Sequence, residues 1–200
     1  MLPKIIFQYS WLYDQNWIKW IKIYKRYKIQ YNHTIKEILN YIKNIDKYWK
    51  KYEKPILKEL SQISRLKWKS KEIPCYVVGD CVPFSDPLTI GMYKDKDWFV
   101  NNLIHELIHQ LFTQNGNIEK SKRAWNYINR KYRDKPFNTR IHIPLHAIHS
   151  HIYLRFFNEK RLSRDIKLIK FLPEYKKSWE IVREEGYKKI ISEFRERVKS

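Results

Sequence analysis

Glycine and alanine are nearly missing from this 200-residue chain, with 4 Gly and 2 Ala (Ala124 and Ala147). That scarcity excludes collagen-like and Gly/Ser-linker classes. Cysteine is scarce too: Cys75 and Cys81 are the only two, too few for a disulfide framework and at no zinc-ribbon spacing. They are expected to be free thiols in a reducing compartment, with a local disulfide as the alternative. No run of about 18 apolar residues is present, so no membrane-spanning helix is expected. The first ten residues lack the apolar core and small-residue cleavage site of a signal peptide. The expected location is the cytoplasm, without a membrane partner.

What the chain has in excess is positive charge and aromatic rings. It carries 41 Lys/Arg against 21 Asp/Glu, a formal net charge of +20, with 8 Trp, 15 Tyr and 9 Phe. Residues 1–71 hold a net +12 of that charge and residues 72–200 a net +8. A field of this size attracts polyanions, so nucleic acid is a candidate partner through the basic surface. A Lys-rich solvated surface on an AT-biased coding sequence explains the same count.

Periodicity predicts a mostly helical α+β protein. Residues 1–71 read as a basic, aromatic-rich helical segment. Trp17, Trp20, Ile21, Tyr24, Tyr27 and Tyr31 form one stripe, and Ile35, Ile38, Leu39, Ile42, Ile45 and Trp49 another. Thr34 and Glu37 have capping-box spacing. Residues 72–200 read as a second region, of strands and helices, with the whole chain one compact unit. Ile73–Asp80 and Leu88–Tyr93 are predicted strands of a hairpin, with Gly91 marking a bulge or a close backbone approach. A buried helix then runs from Asp95 or Asp97 to Gly116, and Asn117 is a candidate cap for the next. Pro144 is expected to open a helix over Leu145–Phe157, and Gly186 to divide a helical tail that follows Pro173.

The buried helix contains His105-Glu106-Leu107-Ile108-His109. Positions i and i+4 share a helix face, so both imidazoles can reach one tetrahedral Zn²⁺ at roughly 2.0–2.1 Å. Glu106 is placed to reach a metal-bound water, whose pKa zinc lowers toward ~7, and to act as general base and then general acid. Four of the seven histidines (His142, His146, His149 and His151) crowd into ten residues. His146, His149 and Tyr153 fall on one helical stripe. His146 is the expected third metal ligand, with His149, His142 and Glu159 as alternatives. His149 and Tyr153 are candidates to steady an oxyanion or orient a ligand.

With HELIH inside a helix that follows two strands, the chain over roughly residues 73–160 resembles the zincin superfamily of metallopeptidases. That resemblance implies an active-site helix packed under a small sheet, with peptide or protein as substrate. It also implies an edge strand that binds extended peptide, for which Leu88–Tyr93 is the candidate. Phe112 and Asn115 stand where the metzincin pattern requires Gly and His, which excludes that branch. A third histidine is similar to the SprT-like branch, and the small catalytic part is similar to minimal gluzincin-type peptidases. The IPCYVVGDCVPF segment does not match the cysteine motif of peptide deformylase. The function expected is therefore zinc-dependent peptide hydrolysis. The alternative is a basic nucleic-acid-binding protein with a structural or vestigial zinc site.

Overall fold

The computed structural model describes residues 1–23, 33–169 and 171–199. The chain is α+β and predominantly helical, with nine helices and one four-stranded sheet among the described residues. It divides into two compact units, one built from residues 1–55 and 69–110, the other from residues 56–68 and 111–200.

The first unit holds the sheet. Strands β1 (Lys4–Gln8), β2 (Glu72–Val78), β3 (Phe84–Ser85) and β4 (Leu88–Gly91) lie in the order β1-β2-β4-β3. The helical reading of residues 1–71 omits β1, which pairs in parallel with β2 from Lys4↔Glu72 to Gln8↔Tyr76. The expected hairpin between Ile73–Asp80 and Leu88–Tyr93 is also replaced. β2 and β4 run parallel (Tyr76↔Thr89 to Val78↔Gly91), and the antiparallel partner of β4 is the two-residue β3. β4 is therefore an interior strand, buried at all four residues, and Leu88–Tyr93 is not the free edge that the zincin resemblance implies. Gly91 marks the close backbone approach: a Cβ there would lie 3.1 Å from the Cys81 backbone nitrogen, a contact that the neighbour must shift to admit.

Helix α1 (Trp11–Ile23) is tied to this sheet by two side chains. Asp14, fully buried, accepts hydrogen bonds from the Gly79 N–H (2.9 Å) and the Tyr9 hydroxyl (3.1 Å). The Tyr13 and Thr89 hydroxyls are 2.8 Å apart. Of the first aromatic stripe, Tyr24, Tyr27 and Tyr31 lie outside the described residues. Helix α2 (Ile35–Trp49) begins at the expected Thr34–Glu37 capping box. It buries Ile38, Ile45 and Trp49, while Ile35 and Leu39 remain exposed. Glu53, the first residue of α3 (Glu53–Ser64), accepts a 2.8 Å bond from the Ile5 N–H. Helix α4 (Lys96–Gln114) is capped by Asp95, whose carboxylate accepts from the Asp97 N–H at 2.8 Å. Phe99 fixes it against Phe7 of β1 and Tyr41 of α2, with ring centroids 5.8 and 5.7 Å apart.

The second unit is helical. α6 (Phe137–Phe156) is its buried centre and packs against α7 (Glu159–Ile169), α8 (Pro173–Glu185) and α9 (Tyr187–Lys199), while α5 (Glu119–Lys131) packs against α9. α6 starts at Phe137 behind Pro136, so Pro144 lies inside the helix rather than at its start. The missing N–H of Pro144 removes one helical hydrogen bond, and the helix continues past it with residues 145–150, Ile152 and Tyr153 buried. α5 begins after Ile118 without a side-chain cap, so Asn117 does not play that part. Lys131 bridges Glu185 (2.6 Å) and Glu193 (2.7 Å), joining α5, α8 and α9. Gly186, at φ +84°, separates α8 from α9 as the sequence predicts. Among the described residues no helix is long and apolar enough to cross a membrane.

Candidate metal centre

Within the first unit, the HELIH segment lies in the second half of α4. Phe99, Val100, Leu103, Ile104, Leu107 and Ile108 are fully buried. That burial holds the helix rigid and leaves His105 and His109 half-buried on one face. Their ring centroids are 5.0 Å apart with planes at 66°, and a ring nitrogen of each lies within 4.8 Å of the other. Two nitrogens on one tetrahedral zinc stand about 3.3 Å apart.

Glu106 is buried, with 7% of its surface exposed. Burial pushes its carboxyl up to about 8, so near neutral pH it holds a proton when no cation is beside it. Its neighbourhood is poor in counter-charge. Burial first, and then the charge of Glu106, raises the Cys75 thiol. Cys81 and Tyr93 are likewise raised, mainly by burial. Cys75 and Cys81 are both free thiols, as expected from the sequence.

The second unit holds the cluster His142, His146, His149 and His151. Because α6 begins at Phe137, His142 joins His146, His149 and Tyr153 on one stripe. His142 Nδ1 is 2.7 Å from the Asn138 carbonyl oxygen. A carbonyl only accepts, so Nδ1 carries the proton and Nε2 keeps its lone pair. His146 Nδ1 is 2.6 Å from Ser178 Oγ, whose one proton goes to the Tyr175 carbonyl at 2.8 Å. His146 therefore donates from Nδ1 and also presents Nε2 as a base. This is the tautomer in which metal-ligating histidines are held. The His146 ring stacks on Trp179 at 4.0 Å and 10°. Burial lowers His142 to about 4 and, with Arg161 adding to it, His149 to about 3, so both are neutral at pH 7.

His149 packs on the Tyr153 ring at 4.7 Å. Tyr153 donates its hydroxyl proton to Asp165, which also accepts from Arg164 Nε at 2.8 Å. Glu159 is the first residue of α7. His151 pairs with Glu59 at 2.7 Å. Of the residues predicted from sequence, His105, Glu106 and His109 belong to the first unit, and His142, His146, His149, Tyr153 and Glu159 to the second. Sequence reasoning misses Asn138, Ser178, Trp179 and Asp165. The four-residue spacing of Asn138 and His142 becomes readable only once the helix is started at Pro136, and Ser178 carries no local signal.

Comparison with known proteins returns no match to any family model, curated protein or solved structure.

Proposed function

We propose that the protein is a zinc-dependent peptidase in which His105 and His109 supply two metal ligands and α6 the third. The reading rests on one observation: two imidazoles one turn apart on a buried helix, with a carboxyl between them shielded from water. Bound zinc supplies a Lewis acid and brings the pKa of water toward ~7. A cation beside Glu106 favours its ionised form, which accepts a proton from water and passes it to the leaving amine. His142 and His146 both present Nε2, His146 being the residue the sequence favours, with His149 and Glu159 as the remaining alternatives. The substrate is a peptide or protein. A cytoplasmic location accords with the two free thiols.

Metal analysis of purified, zinc-supplemented protein should find one zinc per chain. His105→Ala and His109→Ala should lose it. Glu106→Gln should keep it and lose at least about 10²-fold in peptide hydrolysis. Protein that binds no divalent cation, or a Glu106→Gln variant with full turnover, overturns the proposal. Zinc content of His142→Ala, His146→Ala, His149→Ala and Glu159→Gln assigns the third ligand.

The net charge of +20 supports a second reading, a nucleic-acid-binding protein whose zinc is structural. Such a site has a closed shell of four protein ligands. On this reading, affinity for DNA or RNA falls steeply with salt and Glu106→Gln leaves it unchanged; no binding at low salt removes it.

A further inference from the structure

The second unit contains a half-open cavity of about 620 Å³ lined by α6, α7, α8 and the first residue of α9. Its volume falls within the range of small-molecule sites. The HELIH residues are not among those that line it. Its body is aliphatic and aromatic: Leu154, Leu162, Ile166, Trp179, Val182 and Tyr187. Of the uncharged polar side chains in the lining, Ser150 already donates to the His146 carbonyl at 2.8 Å and Ser163 lies at the exposed rim.

Charge is distributed unevenly around this lining. Lys167, Lys176 and Arg183 are exposed cations at the cavity, against Glu159 and Glu180. Glu180 is itself engaged by Lys176 (3.9 Å) and Lys177 (3.3 Å). The balance at the rim is positive.

We propose that this cavity binds a small amphiphilic carboxylate, its chain among Leu154, Leu162, Ile166 and Val182 and its head group toward Lys167, Lys176 and Arg183. Trp179 is shared between this cavity and His146, on which it stacks. An occupant therefore touches the residue that supports one of the α6 histidines. The site stands independently of the proposed peptidase activity.

The test is titration calorimetry of the full chain with dodecanoate below its micelle concentration, with dodecanol and AMP as comparisons. Saturable one-to-one binding of dodecanoate is expected, with at least tenfold weaker binding of dodecanol and of AMP. Leu162→Trp, which fills the cavity, and Ser163→Trp, at its exposed rim, should each lower dodecanoate affinity at least tenfold. Neither substitution changes net charge, so the loss cannot come from the basic field of the chain. Ser163→Trp carries the test if Leu162→Trp lowers the thermal midpoint. Lys176→Glu with Arg183→Glu should weaken dodecanoate and leave dodecanol unchanged. No dodecanoate binding, or binding that Ser163→Trp leaves intact, overturns the proposal. Equal affinity for dodecanol overturns the role of the cations, and tighter binding of AMP assigns the cavity to nucleotides instead.

Discussion

At Glu106, burial and charge pull in opposite directions: the carboxyl is pushed up to about 8 where no cation balances it. Ligation on both sides of it, at His105 and His109, would reverse that balance. The buried histidine His149 gives a prediction that does not depend on metal. Its imidazole is pushed down to about 3 from an ordinary 6.5. Below about pH 6.5 the unfolded chain takes up a proton that the folded chain refuses. Stability is complete above that pH and falls on acidification toward pH 3, by up to ~1.4 kcal/mol per pH unit for one such group. Urea unfolding of His149→Leu between pH 7 and pH 4 should show a shallower loss than the parent chain. Ser178→Ala separates His146 from His142. With His146 as the third ligand, zinc affinity measured against a chelator falls about 10–100-fold. With His142 as the ligand it stays within twofold, because its Nδ1 is anchored on a backbone carbonyl.

Helix ends and glycines yield predictions at the next scale. Gly186 adopts φ +84° with open space around its Cβ position, so a side chain there meets backbone strain and no clash. Gly186→Ala should cost about 1 kcal/mol and lower the thermal midpoint by roughly 2–4 °C. Asp14→Ala removes the acceptor of the buried Gly79 N–H and should cost about 1–3 kcal/mol in denaturant unfolding. These local features were largely legible: Thr34 with Glu37, Asp95, Gly91 and Gly186 each announce a turn, cap or close approach through their own chemistry. Two elements were not. Lys4–Gln8 becomes a strand only through a partner far along the chain, and no residue inside it says so. The start of α6 was misplaced because Pro136 and Pro144 carry the same local signal. Only the burial of the whole helix decides that Pro144 is the tolerated one. The two motif histidines and Glu106 were legible because their spacing fixes their geometry. The tautomers of His142 and His146 depend on Asn138 and Ser178 and become visible only in three dimensions.

Across the whole chain, charge is the dominant feature. A net +20 on 200 residues repels itself, and added salt screens that repulsion within about 10 Å at 0.1 M. The thermal midpoint should therefore rise between 10 and about 300 mM NaCl in a melting experiment, while affinity for any polyanion falls over the same range. Pairing across the sequence has a further consequence during synthesis. Lys4–Gln8 must wait for Glu72–Tyr76 before it has a neighbour. On a ribosome adding roughly 5–20 residues per second, that is several seconds or more in which the nascent strand has no mate. Its Ile5, Ile6 and Phe7 and its open backbone edge are then available to any other extended chain. A strand made well before its partner is thereby open to mispairing in a crowded polysome.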